Sequence, residues 1–238
     1  MKIALLGYGK MGKEIEAIAL QRGHSIDLKI TEENVLSANI DKLKQCDVAI
    51  EFTTPANVLQ HIQICFDAKT PIVVGTTGWN KSEKEVIENC QKQNATLFYA
   101  SNFSIGVNLF FEINKRLAQL MNTQNQYNVS LTEIHHTQKL DAPSGTAITL
   151  ANDILHNLTS KQSWELAPAK SANALEITAV REENVPGTHT IQYESNQDII
   201  SITHQAKNRQ GFAMGAVLAA EFIADKKGVF GMNDILKF

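Results

Sequence analysis

Apolar residues near the N-terminus come in short unbroken runs that alternate with helical stripes. Ile3 to Leu6 is one such run, and Met11, Ile15, Ile18 and Ala19 then recur at helical spacing. The rhythm repeats. Asp47 to Pro55 (DVAIEFTTP) predicts a strand with a small polar end, followed by a stripe of Val58, Leu59, Ile62 and Phe66. Pro71 to Trp79 (PIVVGTTGW) predicts another, followed by Val86, Ile87 and Cys90, and Thr96 to Ser104 (TLFYASNFS) a further one. Strands alternating with helices predict a parallel, doubly wound sheet of Rossmann type. In such sheets ligands bind beyond the carboxyl ends of the strands. Those ends read Gly7-Tyr8-Gly9, Thr53-Thr54, Gly75-Thr76-Thr77 and Ser101-Asn102. Each alone is turn chemistry; the series favours a ligand crevice.

The pattern then changes. A helix is predicted from Ile105 to about Met121, with Val107, Phe110, Ile113, Leu117 and Leu120 on one side. After the polar linker NTQNQ, alternation takes over, with Tyr127, Val129 and Leu131 on one face. A helix over 144–158 precedes three alternating runs, ALEITAVRE, GTHTIQYES and DIISITHQA. These predict a mixed or antiparallel sheet with helices on one side, an α+β domain. The helical stretch Gly211 to Ala224 returns to the first domain. The expected class is therefore α/β, with a dinucleotide-binding domain over 1–104 plus 211–238 and a mixed-sheet substrate-binding and oligomerisation domain over 105–210. His189, Ile191 and Tyr193 lie opposite Thr188, Thr190 and Gln192 on their strand. A broad sheet face of this mixed character is a candidate subunit interface.

Composition narrows the classes. The 238 residues, 43% hydrophobic and 20% charged, suit one or two domains with a sizeable core. A net charge of −3 offers no basic field to nucleic acid or anionic lipid. The N-terminal apolar run is too short for a signal peptide or a membrane span. The expectation is a soluble, cytoplasmic protein with neither a nucleic-acid nor a membrane partner. Cys46, Cys65 and Cys90 are widely spaced and form no C-x-x-C pair, so they read as buried thiols rather than a zinc or disulfide framework.

Candidate chemistry begins at Gly7-Tyr8-Gly9-Lys10-Met11-Gly12, a G-x-G-x-x-G placed directly after a strand. Gly7 permits the tight turn, Gly9 lets a phosphate approach the backbone, and Gly12 allows close packing of helix on strand. The helix N-terminus offers N–H groups to a pyrophosphate. The second strand, HSIDLKI, is followed by Thr31, then Glu32 and Glu33, where an acidic residue for the ribose is expected first. Thr31 leaves room for a 2′-phosphate that Lys29 could pair with; equally, Lys29 is a solvated strand residue.

The densest cluster is Glu133 to Ala147, EIHHTQKLDAPSGTA. His135 and His136 serve one site only if their strand ends there, because successive strand residues face opposite sides. Asp141 or Ser144 caps the following helix, and Pro143 restricts the approach. Gly145 and Thr146 occupy its first turn, where N–H groups suit a carboxylate. With His135, His136 and Lys139 alongside, the segment reads as an anion clamp with a proton source. Adjacent histidines chelate poorly and no further ligand stands nearby at metal spacing, so no metal site is expected.

The pattern E-x-H-H-x-x-K-x-D-A-P-S-G-T-A, together with the glycine loop, EFTTP, GTTG, SNFSIGVN and HQAKNRQGFAMGA in this order, resembles the dihydrodipicolinate reductase family over essentially the whole chain. The resemblance implies an enzyme of diaminopimelate and lysine biosynthesis, usually a homotetramer. NADH or NADPH would deliver hydride to C4 of 4-hydroxy-tetrahydrodipicolinate, a small dicarboxylate. It implies His135 and Lys139 as proton-transferring residues. His136, Ser144, Gly145 and Thr146 would bind substrate. Gly7, Tyr8, Gly9, Lys10, Met11, Gly12, Gly75, Thr76, Thr77, Ala100, Ser101, Asn102 and Phe103 would bind cofactor. Two departures stand out: a compact glycine loop, and Thr31 in the acidic position. Another small Rossmann oxidoreductase would not require the histidine–lysine and Ser-Gly-Thr segments together. A non-catalytic nucleotide sensor would be expected to lack His135 or Lys139, and both are present.

Overall fold

The computed structural model describes residues 1–31 and 34–237. Glu32 and Glu33, which the sequence reading places after the second strand, lie outside the described residues. The chain divides into two compact units, Met1–Ile105 with Arg209–Phe238, and Gly106–Asn208. In order it forms β1 (Lys2–Leu6), α1 (Lys10–Gln21), β2 (Ser25–Ile30), α2 (Ile40–Leu43), β3 (Val48–Glu51), α3 (Val58–Asp67), β4 (Ile72–Val74), α4 (Glu83–Lys92) and β5 (Thr96–Tyr99). There follow α5 (Ile105–Met121), β6 (Asn128–His135), α6 (Gly145–Asn157), β7 (Ser163–Leu166), β8 (Ala174–Arg181), β9 (Thr188–Glu194) and β10 (Ile199–Gln205). Last come α7 (Gln210–Ile223), β11 (Gly228–Phe230) and α8 (Met232–Leu236).

Among the described residues, the strands of the first unit form a six-stranded sheet in the order β11-β5-β4-β3-β1-β2, parallel throughout. Both faces are covered, which is why the strands are continuous apolar runs rather than alternations. Along β1 the side chains still divide by parity. Ala4 and Leu6 pack with Ile62, Phe66 and Val74. Ile3 and Leu5 pack with Ile15 of α1, Phe98 of β5, and Val217 and Ala220 of α7. The chain passes from β1 to β2 on one side and to β3 on the other, so the order reverses at β1 and β3. That switch point is where open α/β sheets bind ligands. The strands end earlier than their sequence runs, at Glu51, Val74 and Tyr99, because the small polar residues beyond leave the ladder to form loops. Arg22 donates to both carboxylate oxygens of Glu221 at 2.7 Å, which ties α7 to the end of α1.

In the second unit the sheet runs β10-β9-β6-β8-β7. The β10–β9 and β9–β6 pairs are antiparallel, and the β6–β8 and β8–β7 pairs parallel. It is thus mixed, the first of the two forms the alternating runs allowed. Val129 and Leu131 of β6 and Ile191 and Tyr193 of β9 pack against Phe110, Ala118 and Met121 of α5 and Leu150, Ala151 and Ile154 of α6. The buried side of α5 is rotated from the expected stripe. Ile113 and Leu120 are 52% and 56% exposed, while Asn114 is buried. The polar residue is tolerated because its Nδ2 donates to the Leu150 carbonyl at 3.0 Å. His189, Ile191 and Tyr193 form the inner face of β9, and Thr190 and Gln192 are half-buried on the other.

Leu131 is fully buried at the centre of this second core. Leu131→Ala should destabilise the second unit by about 2–5 kcal/mol, read as a shifted denaturant midpoint; an unchanged midpoint would mean that this strand does not organise the core.

Candidate active site

β6 carries the second unit's core into a polar site without changing face. Val129, Leu131, Glu133 and His135 alternate with less buried residues, and all four point inward. The first two are apolar and the last two ionisable. β6 ends at His135, as a site using both adjacent histidines requires. Glu133 has no exposed surface. The Ser144 backbone N–H donates to both of its carboxylate oxygens, at 3.1 and 3.0 Å. Ser144 Oγ accepts from the Ala147 N–H at 3.1 Å, so Ser144, rather than Asp141, caps α6. Burial alone would raise the Glu133 carboxyl, but the neighbouring His135 and His189 imidazoles and Ser144 outweigh it and hold the group well below the usual carboxylate range.

Two imidazoles complete this buried cluster. His135 Nε2 lies 3.5 Å and His189 Nε2 3.7 Å from Glu133 Oε2, and the two nitrogens are 3.4 Å apart. Ser144 Oγ is 3.2 Å from His189 Nε2. Arg181, the register partner of His135 on β8, approaches Glu133 Oε1 at 3.6 Å. Its guanidinium also donates to the Lys139 and Asp141 carbonyls at 3.2 and 2.6 Å, pinning the loop before α6. The Lys139 ammonium is shared by the two Asp141 oxygens at 2.7 and 2.8 Å, which lowers the Asp141 carboxyl. His136 is half-buried, and its Nδ1 has no hydrogen-bond partner. Gly145 at the start of α6 faces open space, and Thr146 sits half-buried beside it.

His135, Ser144 and the first turn of α6 therefore meet around one carboxylate. Lys139 stands in the adjoining loop, held by Asp141. Sequence reasoning did not select Glu133, Arg181 or His189 as site residues. Glu133 was within reach, since it lies two positions before His135 on the same strand face. His189 and Arg181 join through strand register, and no local signal marks them.

In the first unit, the glycine loop is shaped by close approach. Gly7 takes φ +93°, and a Cβ there would lie 2.2 Å from the Phe52 carbonyl oxygen. A Cβ on Gly12 would lie 2.3 Å from the Gly7 carbonyl oxygen. Gly9, at the N-terminus of α1, faces open space. A cavity of about 750 Å³ opens here, lined among others by Gly7, Tyr8, Gly9, Thr31, Thr53 and Asn57. It lies beyond the carboxyl ends of β1, β2 and β3, and its size suits a small-molecule site.

The remaining cofactor candidates lie outside that lining. Lys10 is exposed, and Met11 is half-buried against the core. Gly75 lies against the Phe52 ring. Thr76 Oγ1 accepts from the Thr53 N–H at 2.8 Å, joining the loops after β3 and β4. Thr77 and Ser101 are exposed, and Ala100 is half-buried. Asn102 Oδ1 accepts from the Ser104 N–H at 2.9 Å. The Phe103 ring is in the core against Phe52 and Phe98, which leaves only its backbone to a ligand. Lys29 is half-buried on β2. Its ammonium pairs with Glu16 at 2.6 Å and lies over the Tyr8 ring, 4.6 Å from the centroid; the Tyr8 hydroxyl also donates to Glu16.

A Cβ on Gly187 would lie 2.9 Å from His135 Cε1. Gly187→Ala should therefore displace the imidazole and shift the His135 side-chain NMR resonances in a folded protein. Unmoved resonances would show that the ring does not rest on this glycine.

Known proteins resemble this chain over nearly its whole length. The family model described as dihydrodipicolinate reductase, N-terminus, matches residues 1–103, and its C-terminus counterpart matches residues 106–236. The 4-hydroxy-tetrahydrodipicolinate reductase of Christiangramia forsetii is 49% identical over 236 residues, covering 99% of this chain and 98% of that protein. Its namesake from Buchnera aphidicola subsp. Schizaphis graminum is 34% identical over 229 residues, covering 90% and 81%. Among solved structures, a dipicolinate-bound dihydrodipicolinate reductase from Paenisporosarcina sp. TG-14 shares the fold, with TM-score 0.80 at 24% identity over 99% of both chains.

Proposed function

The chain belongs to the dihydrodipicolinate reductase family, and on that premise we propose that it reduces 4-hydroxy-tetrahydrodipicolinate to tetrahydrodipicolinate with NADH or NADPH, in diaminopimelate and lysine biosynthesis. The observation that carries the reading is the convergence of His135, Ser144 and the start of α6 on the buried Glu133. The net change adds one hydride and one proton and releases water.

The first unit holds the cofactor. The residues present fit it: the 750 Å³ cavity sits at the sheet's switch point, and Gly9 leaves the N-terminus of α1 open to a pyrophosphate. When bound, the reduced nicotinamide supplies the hydride. Thr53 and Asn57 join Gly7, Tyr8 and Gly9 as cavity residues.

The second unit holds the substrate. A dicarboxylate needs several donors, and α6 supplies backbone N–H groups at Gly145 and Thr146 with a positive dipole end. His136 adds a donor beside them. His135 gives and takes the proton, with its ring set by Glu133, His189 and Gly187. Lys139 is the second proton donor, released from Asp141 as substrate binds. Fixed donors where charge develops, with an acid near the reduced carbon, are what this chemistry requires.

The outer face of the second sheet, with half-buried Ser130, Thr190 and Gln192, suits assembly into a homotetramer. Among the described residues no helix is long and apolar enough to cross a membrane, which fits the cytoplasmic location proposed with this function.

The test is oxidation of NADH and NADPH, run in parallel with freshly condensed pyruvate and aspartate semialdehyde. Substrate-dependent oxidation is expected; none with either cofactor, from folded protein, would refute the function. Lys139→Ala should lower kcat on the order of 10²-fold with cofactor affinity unchanged; an unchanged kcat removes Lys139 from the mechanism. Thr146→Val should mainly raise KM for the dicarboxylate, whereas a fall in cofactor affinity instead would mean that α6 does not bind substrate.

A further inference from the structure

Three buried polar atoms of the second unit face one another at distances too long for good hydrogen bonds. His135 Nε2 and His189 Nε2 stand 3.5 and 3.7 Å from Glu133 Oε2, and 3.4 Å from each other. Good N–H···O bonds are about 2.7–3.2 Å. The separations fit a different geometry. Zinc binds histidine nitrogen at about 2.0–2.1 Å and carboxylate oxygen at about 2.0–2.2 Å, so two ligands on one ion stand roughly 3.3–3.6 Å apart, within about 0.1 Å of all three separations.

The backbone explains how the three meet. Glu133 and His135 are two apart on β6, hence on one face. His189 is the register partner of Glu133 on antiparallel β9. The objection to chelation by adjacent histidines holds for His136, whose place is taken by a residue 54 positions away from His135. Surrounding groups fit as well. The Ser144 N–H anchors the carboxylate. Arg181 approaches Oε1 at 3.6 Å, the oxygen away from the two imidazoles, and Oε2 keeps a lone pair beside its bond from the Ser144 N–H. Ser144 Oγ lies 3.2 Å from His189 Nε2, at the edge of the same cluster.

We propose that Glu133 Oε2, His135 Nε2 and His189 Nε2 form a binding site for a divalent transition ion of the zinc class, and that occupancy inhibits reduction by taking the His135 nitrogen out of proton transfer. The binding half stands on geometry alone. The inhibitory half rests on the catalytic role proposed for His135.

The experiment starts from chelator-stripped full-length protein. Zn²⁺ is titrated against a competing chromophoric chelator, and Co²⁺ serves as a visible-absorption probe of ligand geometry. One ion per chain is expected, with a four-coordinate Co²⁺ spectrum. Affinity should fall at least about tenfold in His135→Ala and His189→Gln and be retained in His156→Ala, which alters an exposed histidine of α6. Rate should then decline in proportion to Zn²⁺ occupancy and recover with EDTA. Absence of binding by the wild type, or binding unaltered in folded His189→Gln, would overturn the site and leave the proposed reaction untouched. An ion bound at this site with reduction at full rate would overturn the inhibition and, with it, the role given to His135. Should His135→Ala not fold, the wild-type titration and His189→Gln still decide the matter.

Discussion

Glu133 is a carboxylate with no exposed surface, and much of the second unit's functional end is arranged to keep it charged. Withdrawing such an ion from water costs several kcal/mol unless partners compensate. Here the partners come from four segments: the Ser144 N–H at the start of α6, His135 from the end of β6, Arg181 from β8 and His189 from β9. Removing one side of such a set typically costs about 3–5 kcal/mol, because the charge is left uncompensated. That penalty holds the segments together, and with them the first turn of α6 and the loop bearing Lys139. The same contacts fix His135 and the start of α6, while Lys139 is held separately by Asp141.

The first unit reaches a binding site by the opposite means. Its crevice depends on side chains that are missing. Gly7 and Gly12 let the turn, the Phe52 carbonyl and α1 close on one another, and Gly9 leaves the helix start open. The polar side chains nearby mostly serve the loops. Thr76 bonds to Thr53, and the Thr53 hydroxyl donates to the buried Glu51. Lys29, the cation nearest in sequence to Thr31, is neutralised by Glu16.

How much of this the sequence disclosed depends on the range of the interactions. Apolar runs and stripes marked the parallel sheet because both of its faces are covered, which is a local property of composition. They overran the strand ends, since Thr53 and Thr76 extend the runs in sequence but bond between loops in space. The three-residue β11 and four-residue β7 gave no periodicity to detect. The buried side of α5 was misplaced because Asn114 is held inside by the Leu150 carbonyl, a partner on another helix. The cluster from Glu133 to Thr146 was legible as chemistry, and Ser144 as one of two candidate caps. His189 and Arg181 were not, because each arrives through register with β6.

The most direct test of the organising role given to Glu133 is kcat of Glu133→Gln at saturating cofactor, measured beside its unfolding midpoint. Glutamine keeps the shape and can still accept from the Ser144 N–H, but it has no charge with which to hold His135 and His189. The predicted result is a folded protein whose cofactor affinity is unchanged and whose kcat falls on the order of 10²-fold. A folded variant with wild-type kcat would contradict the account, because the proton-transferring histidine would then not depend on the buried carboxylate.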